Sequence, residues 1–152
     1  MKKGIIIVFG FLLLGFASCN KEESVSTSEQ LAIDVEKIEK YLSDNGLTAQ
    51  KTASGLHYII TEPGTGTSPN INSTVTVKYV GRLLDGTEFD RGTATFALQT
   101  VIEGWQEGIP LFKLQGKGKL IIPSTLGYGS SGTGDIPANS VLVFDIYLIS
   151  FN

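Results

Sequence analysis

The chain has 152 residues, 18% of them charged, and a formal net charge of −3, so no basic face large enough for a nucleic-acid partner is expected. One cysteine, Cys19, and one histidine, His57, exclude a zinc cluster, an internal disulfide and a Cys/His nucleophilic pair with its own orienting partner. Eighteen glycines, with apolar residues weighted toward Val, Ile, Leu and Phe, favour one domain of short strands joined by tight turns.

Met1-Lys2-Lys3 and the apolar run 4–16 have the charged and hydrophobic regions of a signal peptide, and the run is too short for a comfortable membrane span. It closes as Phe16-Ala17-Ser18-Cys19, which resembles a bacterial lipobox with Phe16 where leucine is usual. A free thiol is out of place in an oxidising compartment, which makes Cys19 the expected lipidation site; each buried CH₂ of an acyl chain would contribute about 0.8 kcal/mol to anchoring. The expectation is a signal peptide over 1–18 and a lipid-anchored protein of the cell envelope, held at the outer membrane. Residues 19–28 are polar and cannot bury enough apolar surface to fold, so they read as a tether. Within it, Lys21-Glu22-Glu23 resembles the surface-export signals of some bacterial lipoproteins.

Ser26 and Glu29 make a capping box, Leu31, Val35, Ile38 and Leu42 fall on one helical face, and Asn45-Gly46 supplies a C-cap. An amphipathic helix over 29–46 is predicted, which either packs on the domain that follows or pairs with its copy in a dimer. Residues 48–54 lead to a first strand over 56–61, where the lone His57 is expected at the surface. Pro63-Gly64-Thr65-Gly66 and Ser68-Pro69-Asn70 are turns. Val75, Val77 and Tyr79 then alternate with Thr76, Lys78 and Val80, and Asp85-Gly86 closes a hairpin that returns through Thr87-Glu88-Phe89-Asp90.

The only tryptophan lies in Val101-Ile102-Glu103-Gly104-Trp105-Gln106-Glu107-Gly108. Two β-branched residues enter, Gly104 frees the backbone, and one or two helical turns follow until Pro110. Trp105 would bury roughly 150–250 Å² and so dominate whatever core or pocket it joins. Leu120-Ile121-Ile122-Pro123 is a short strand after the turn Gly116-Lys117-Gly118. In the last strand, over 141–151, Leu142, Phe144, Ile146 and Leu148 share one face and Val143, Asp145, Tyr147 and Ile149 the other. The fold class is α+β, an antiparallel sheet curled around a short helix.

Two motifs fail on physical grounds. Residues 127–132 match G-x-G-x-x-G, but Gly134 and Pro137 follow where a nucleotide site needs a helix N-terminus. Glu88 and Asp90, two apart in a strand, would lie about 7 Å apart on one face without the aromatic row a glycosidase needs.

Taken together, Val77-Lys78-Tyr79-Val80-Gly81, Leu84-Asp85-Gly86-Thr87-Glu88-Phe89-Asp90, the tryptophan stretch, Ile122-Pro123, Tyr128-Gly129 and Ile136-Pro137 with Leu142-Val143-Phe144-Asp145 resemble the FKBP-type peptidyl-prolyl isomerases, the macrolide-binding immunophilin family. The motifs keep the family's order and near-family spacing across 55–152, the expected isomerase domain. The resemblance implies a twisted antiparallel sheet wrapped over a short helix near Trp105, and isomerisation of X–Pro bonds without metal or cofactor. It implies proline-containing polypeptides as substrates and macrolides as inhibitors. Trp105 would be the floor of a prolyl pocket, with Tyr79, Phe89, Val101, Ile102 and Phe144 as walls and Ile136 covering one side. Asp90 and the Tyr128 hydroxyl would be its polar groups, and the Ile102 amide would hold a substrate carbonyl. Each aromatic read singly is also an ordinary core residue; only their joint order points to a pocket.

Three positions depart from the family pattern. Ala94 stands where a second aromatic is common, Gln99 or Thr100 where a glycine usually precedes the Val-Ile pair, and the loop after Tyr128 is polar and slightly short, with Ser130, Ser131 and Thr133. They bear on macrolide affinity and peptide preference. The expected function is an isomerase assisting the folding of exported or envelope proteins; the alternative is a proline-segment binding or chaperone module with little turnover.

Overall fold

The computed structural model describes residues 25–152, so the expected signal peptide, Cys19 and the tether as far as residue 24 lie outside the described residues. Helix α1 runs Thr27–Asp44, between its caps Ser26 and Asn45 and two residues earlier at each end than the expected 29–46. The capping box forms: the Glu29 amide donates to Ser26 Oγ (3.3 Å) and the Ser26 amide donates to the Glu29 carboxylate (2.9 Å). At the other end Gly46 takes φ +62° and ends the helix. The buried line is Gln30, Asp34, Ile38 and Leu42, spaced by four, while Leu31 and Val35 flank it half-buried. A Cβ at Gly55 would lie 2.8 Å from Leu31 Cδ1, so that flank presses directly on the backbone leading into the sheet.

Six antiparallel strands follow: β1 Gln50–Lys51, β2 His57–Glu62, β3 Thr74–Leu83, β4 Glu88–Ala97, β5 Lys117–Ile122 and β6 Leu142–Phe151, in the order β1-β2-β5-β6-β3-β4. The strand expected first is therefore the second, because a two-residue β1 is too short to show periodicity. Helix α2, Glu103–Gly108, passes through Pro110 into a single 3₁₀ turn, Ile109–Leu111.

The alternation of β6 holds as expected. Leu142, Phe144, Ile146 and Leu148 join Leu120, Ile122, Val75 and Val77 on the inner face, where Trp105, Ile109 and Phe112 pack. Val143, with Ile121 and Val141, faces the other way and is covered by Ile38 and Leu42 of α1. Of the two roles foreseen for the N-terminal helix, the structure shows packing on the domain. No helix among the described residues is long and apolar enough to cross a membrane.

Two local expectations are corrected. Gly104 does not free the backbone: it lies inside α2 without positive φ, and a Cβ there would come within 2.4 Å of Ile122 Cγ2. Gly108 is pressed on Leu120 in the same way (2.6 Å), so the two glycines, one turn apart, let α2 lie close on β5. His57 is buried, not at the surface, because it pairs with Ile121 on the face that α1 covers. Its Nδ1–H donates to the Gly55 carbonyl (2.9 Å), and burial pushes its pKa down despite that bond.

Candidate functional site

The inner face of β3, β4 and β6, together with α2 and the loop after β5, encloses a cleft of about 600 Å³. Every pocket residue expected from sequence lines it: Tyr79 from β3, Phe89 and Asp90 from β4, Val101 and Ile102 before α2, Trp105 within α2, Tyr128 and Ile136 from the loop, and Phe144 from β6. Cys19 lies outside the described residues.

Phe89 and Asp90 are neighbours in sequence yet both face the cleft, which a regular strand forbids. The register explains it: Arg82 pairs with Glu88 and Gly81 with Asp90, so Phe89 is the extra residue of a β-bulge. The same bulge separates Glu88 from Asp90. Glu88 pairs with Arg91, while the Tyr79 hydroxyl donates to Asp90 Oδ2 (2.8 Å). The two carboxylates thus have different tasks, and the failed glycosidase reading fails on geometry as well.

Aromatic rings form the floor and walls. Trp105 meets Tyr79 at 5.2 Å and 79°, and Phe144 at 5.1 Å and 80°, both edge-to-face; Phe89 meets Phe144 at 5.5 Å and 87°. Gly81 makes this possible, since a Cβ there would stand 2.6 Å from Phe89 and 2.8 Å from Phe144. Trp105 and Phe144 are buried, 6% and 4% exposed, whereas Tyr128 at the rim is 38% exposed. The Trp105 indole N–H has no hydrogen-bond partner among the described residues, as suits an apolar floor.

Polar groups are few and placed at the edge. Burial, reinforced by Asp90, pushes the Tyr79 phenol up to about 12, so it remains a neutral donor to that carboxylate. The Ile102 carbonyl accepts from the Trp105 amide (2.9 Å), and Gln106 Nε2 holds the Val101 carbonyl (2.8 Å). The Ile102 N–H, at the N-cap of α2, meets no acceptor among the described residues and is available to a ligand. Among the described residues neither a cysteine nor a histidine lines the cleft, and its one hydrogen-bonded carboxylate is occupied by a phenol. The arrangement suits binding an apolar ring and a flanking carbonyl, not attack on a bond.

Sequence reasoning missed Phe96, which lines the cleft and stacks on Trp105 at 5.2 Å and 43°. The signal was present: counting by two from Asp90 gives Gly92, Ala94 and Phe96. Ala94 itself lines the cleft, as do Thr100, Thr133, Gly134 and Asp135. The glycine-rich stretch after Gly127 is turn, with Gly129, Gly132 and Gly134 at positive φ and no helix behind it.

Residues 65–149 match the family FKBP-type peptidyl-prolyl cis-trans isomerase. The FKBP-type isomerase FkpA of Aeromonas hydrophila is 41% identical over 141 residues, spanning 88% of this chain and 53% of that protein. The crystal structure of FkpA from Escherichia coli superposes with a TM-score of 0.72 at 37% identity, covering 83% of this chain and 62% of that one. A peptidyl-prolyl isomerase from Pseudomonas syringae pv. tomato gives a TM-score of 0.72 at 34% identity, covering 85% of this chain and 98% of its own. The chain spans about half the length of the curated relatives it matches. With the match over 65–149 and these likenesses, the chain belongs to the FKBP-type peptidyl-prolyl cis-trans isomerase family.

Proposed function

We propose that the cleft seats the proline ring of X–Pro segments and speeds their cis–trans isomerisation, and that the protein assists the folding of exported or envelope polypeptides. The observation that carries this reading is the ring cluster at the floor, where Tyr79, Phe96 and Phe144 all stand 5.1–5.2 Å from Trp105 and the one hydroxyl among these three rings, that of Tyr79, is committed to Asp90. An X–Pro amide crosses a barrier of ~18–20 kcal/mol because twisting destroys its resonance. The planar amide is more dipolar than the twisted one, so transfer from water onto apolar rings favours the twisted state; about 4 kcal/mol of relief would give roughly a thousandfold in rate. Desolvation works together with positioning. In this reading the free Ile102 amide and the Tyr128 hydroxyl donate to carbonyls flanking the proline. The Tyr79–Asp90 couple fixes one wall, Phe89 and Phe144 form another, and Val101 and Ile136 close the sides. No proton or covalent bond changes hands.

The test is cis-to-trans conversion of short X–Pro peptides by the chain from residue 25 onward, with Trp105 emission reporting occupancy. Turnover that falls in Phe89→Ala by roughly thirtyfold, the worth of about 2 kcal/mol of wall contact, supports the isomerase. Binding without acceleration assigns a proline-recognition module instead, a second reading favoured by Ala94 and the polar Thr133–Asp135 rim that line one side of the cleft. A macrolide that displaces the peptide would extend the family's inhibitor class to this cleft. For location, the N-terminal sequence supports acylation at Cys19 and attachment to the outer membrane; Cys19→Ala should release the protein from membranes, and continued retention would sink the anchor.

A further inference from the structure

We propose that Asp34 of α1 is a positioning residue for Tyr128, which makes the N-terminal helix a working part of a cleft that no α1 residue lines. The proposal rests on the reading above that Tyr128 contributes to turnover.

Asp34 interrupts the apolar line of α1 and is fully buried, at 0% exposure. An apolar side chain of similar size would often stabilise such a site as well or better, because burying a carboxylate costs desolvation. What an apolar residue cannot do is fix a hydrogen-bonded geometry. Asp34 Oδ2 accepts from the Ser124 amide (2.8 Å) and the Ser124 hydroxyl (2.5 Å), while Oδ1 accepts from Gln30 Nε2 (2.8 Å) and has Lys37 Nζ at 3.7 Å.

Ser124 is itself fully buried and opens the 3₁₀ turn Ser124–Leu126 directly after Pro123. Its carbonyl accepts from the amides of Gly127 and Gly129, both at 2.9 Å, the residues on either side of Tyr128. Ser124 is thus held on its donor side by α1 and grips, on its acceptor side, the two peptide groups that aim Tyr128. The Tyr128 side chain is exposed at the rim, so few neighbours fix its direction and the backbone beneath must do so. Removing the Asp34 carboxylate would leave two buried Ser124 donors without their acceptor and loosen that root.

The experiment is a double-mutant cycle in the full chain, reading kcat/KM on an X–Pro peptide, with amide exchange at Gly127 and Gly129 followed in parallel. Asp34→Ala should lower kcat/KM about five- to tenfold, the worth of one positioned hydrogen bond, and should cost nothing further in a Tyr128→Phe background. Exchange at Gly127 and Gly129 should quicken. Leu42→Ala, which thins the packing of α1 about two turns beyond Asp34 and leaves the Asp34–Ser124 bonds in place, should leave both readouts unchanged. Unaltered turnover in Asp34→Ala, or a loss that multiplies with that of Tyr128→Phe, overturns the proposal. Should Asp34→Ala fail to fold, Ser124→Ala removes only the hydroxyl and should lose about two- to threefold, again only while Tyr128 is present; no loss overturns it equally. A wild type without turnover, or a fully active Tyr128→Phe, instead overturns the role of Tyr128, and exchange at the two glycines then decides whether Asp34 holds the segment at all.

Discussion

The two faces of one sheet are buried in opposite ways. Under the inner face, Trp105, Phe144, Tyr79 and Phe96 meet ring to ring, and the indole N–H is left without a partner among the described residues. Under α1, on the outer face, the buried polar side chains are matched: Asp34 with Ser124, and His57 with the Gly55 carbonyl. Beyond the helix, burial alone would raise the Asp145 carboxyl, but Lys119 and Arg82 hold it below the usual carboxylate range. A packed polar group fixes one geometry, whereas bare aromatic surface accepts whatever apolar shape enters. The face with satisfied polar groups fastens a helix, and the face with unfinished apolar packing is left open to a ligand.

The sharpest way to break this contrast is to truncate one side chain on each face. Phe144→Ala should cost about 3–5 kcal/mol of stability and abolish turnover, while Leu42→Ala should cost about 2–4 kcal/mol and leave kcat/KM of the folded protein intact. Denaturant unfolding and peptide turnover together check both. If Leu42→Ala lost turnover in proportion to stability, the two faces would not be separable.

Gly81→Ala comes next. Its Cβ must displace both Phe89 and Phe144, which should cost about 1–3 kcal/mol and lower turnover more than stability, because the strain falls on the cleft walls. An equal effect on both would move Gly81 from the cleft to the fold.

Tyr79→Phe should cost about 1 kcal/mol for the lost bond to Asp90. Its folded pKa, about 12, lies above the ordinary tyrosine value of 10.0, so its contribution is complete below pH 10 and fades as the pH climbs toward 12. Phenolate absorbance should therefore show a late-titrating tyrosine in the wild type that is missing from Tyr79→Phe.

The smallest effect belongs to His57. Its pKa is lowered by burial, so the fold prefers the neutral ring: that preference is fully present above the ordinary value of 6.5 and is lost as the pH falls below it. Denaturant midpoints in mildly acidic and neutral buffer should differ less for His57→Gln than for the wild type, and identical differences would show that the ring does not titrate against folding.

Features with a local period were legible in the sequence. The β6 alternation, the hairpin at Asp85-Gly86 and the Ser26–Glu29 capping box each depend on residues within a few positions of one another, and each is present. The members of the cleft were legible only through their family order, since nothing local distinguishes Phe144 as a wall from Phe112 as core. Features set by a distant partner were not legible. The bulge at Phe89 depends on register against β3, the burial of His57 on the path of α1, and the Asp34–Ser124 bond on two residues 90 positions apart. Phe96 was within reach of a period-two count from Asp90. Gly104 was misread because a glycine kept for close packing has the same letter as one kept for a turn.

The bulge has a further consequence for solubility. With β1 only two residues long, the ten-residue β4 is the sheet's long free edge among the described residues, a row of unpaired backbone groups onto which another extended chain could add. The extra residue at Phe89 bends that edge, and the exposed Arg91 follows two positions later, so the flat template is interrupted beside the cleft. One inserted residue therefore both turns a phenylalanine toward the cleft and breaks the edge on which another strand could pair.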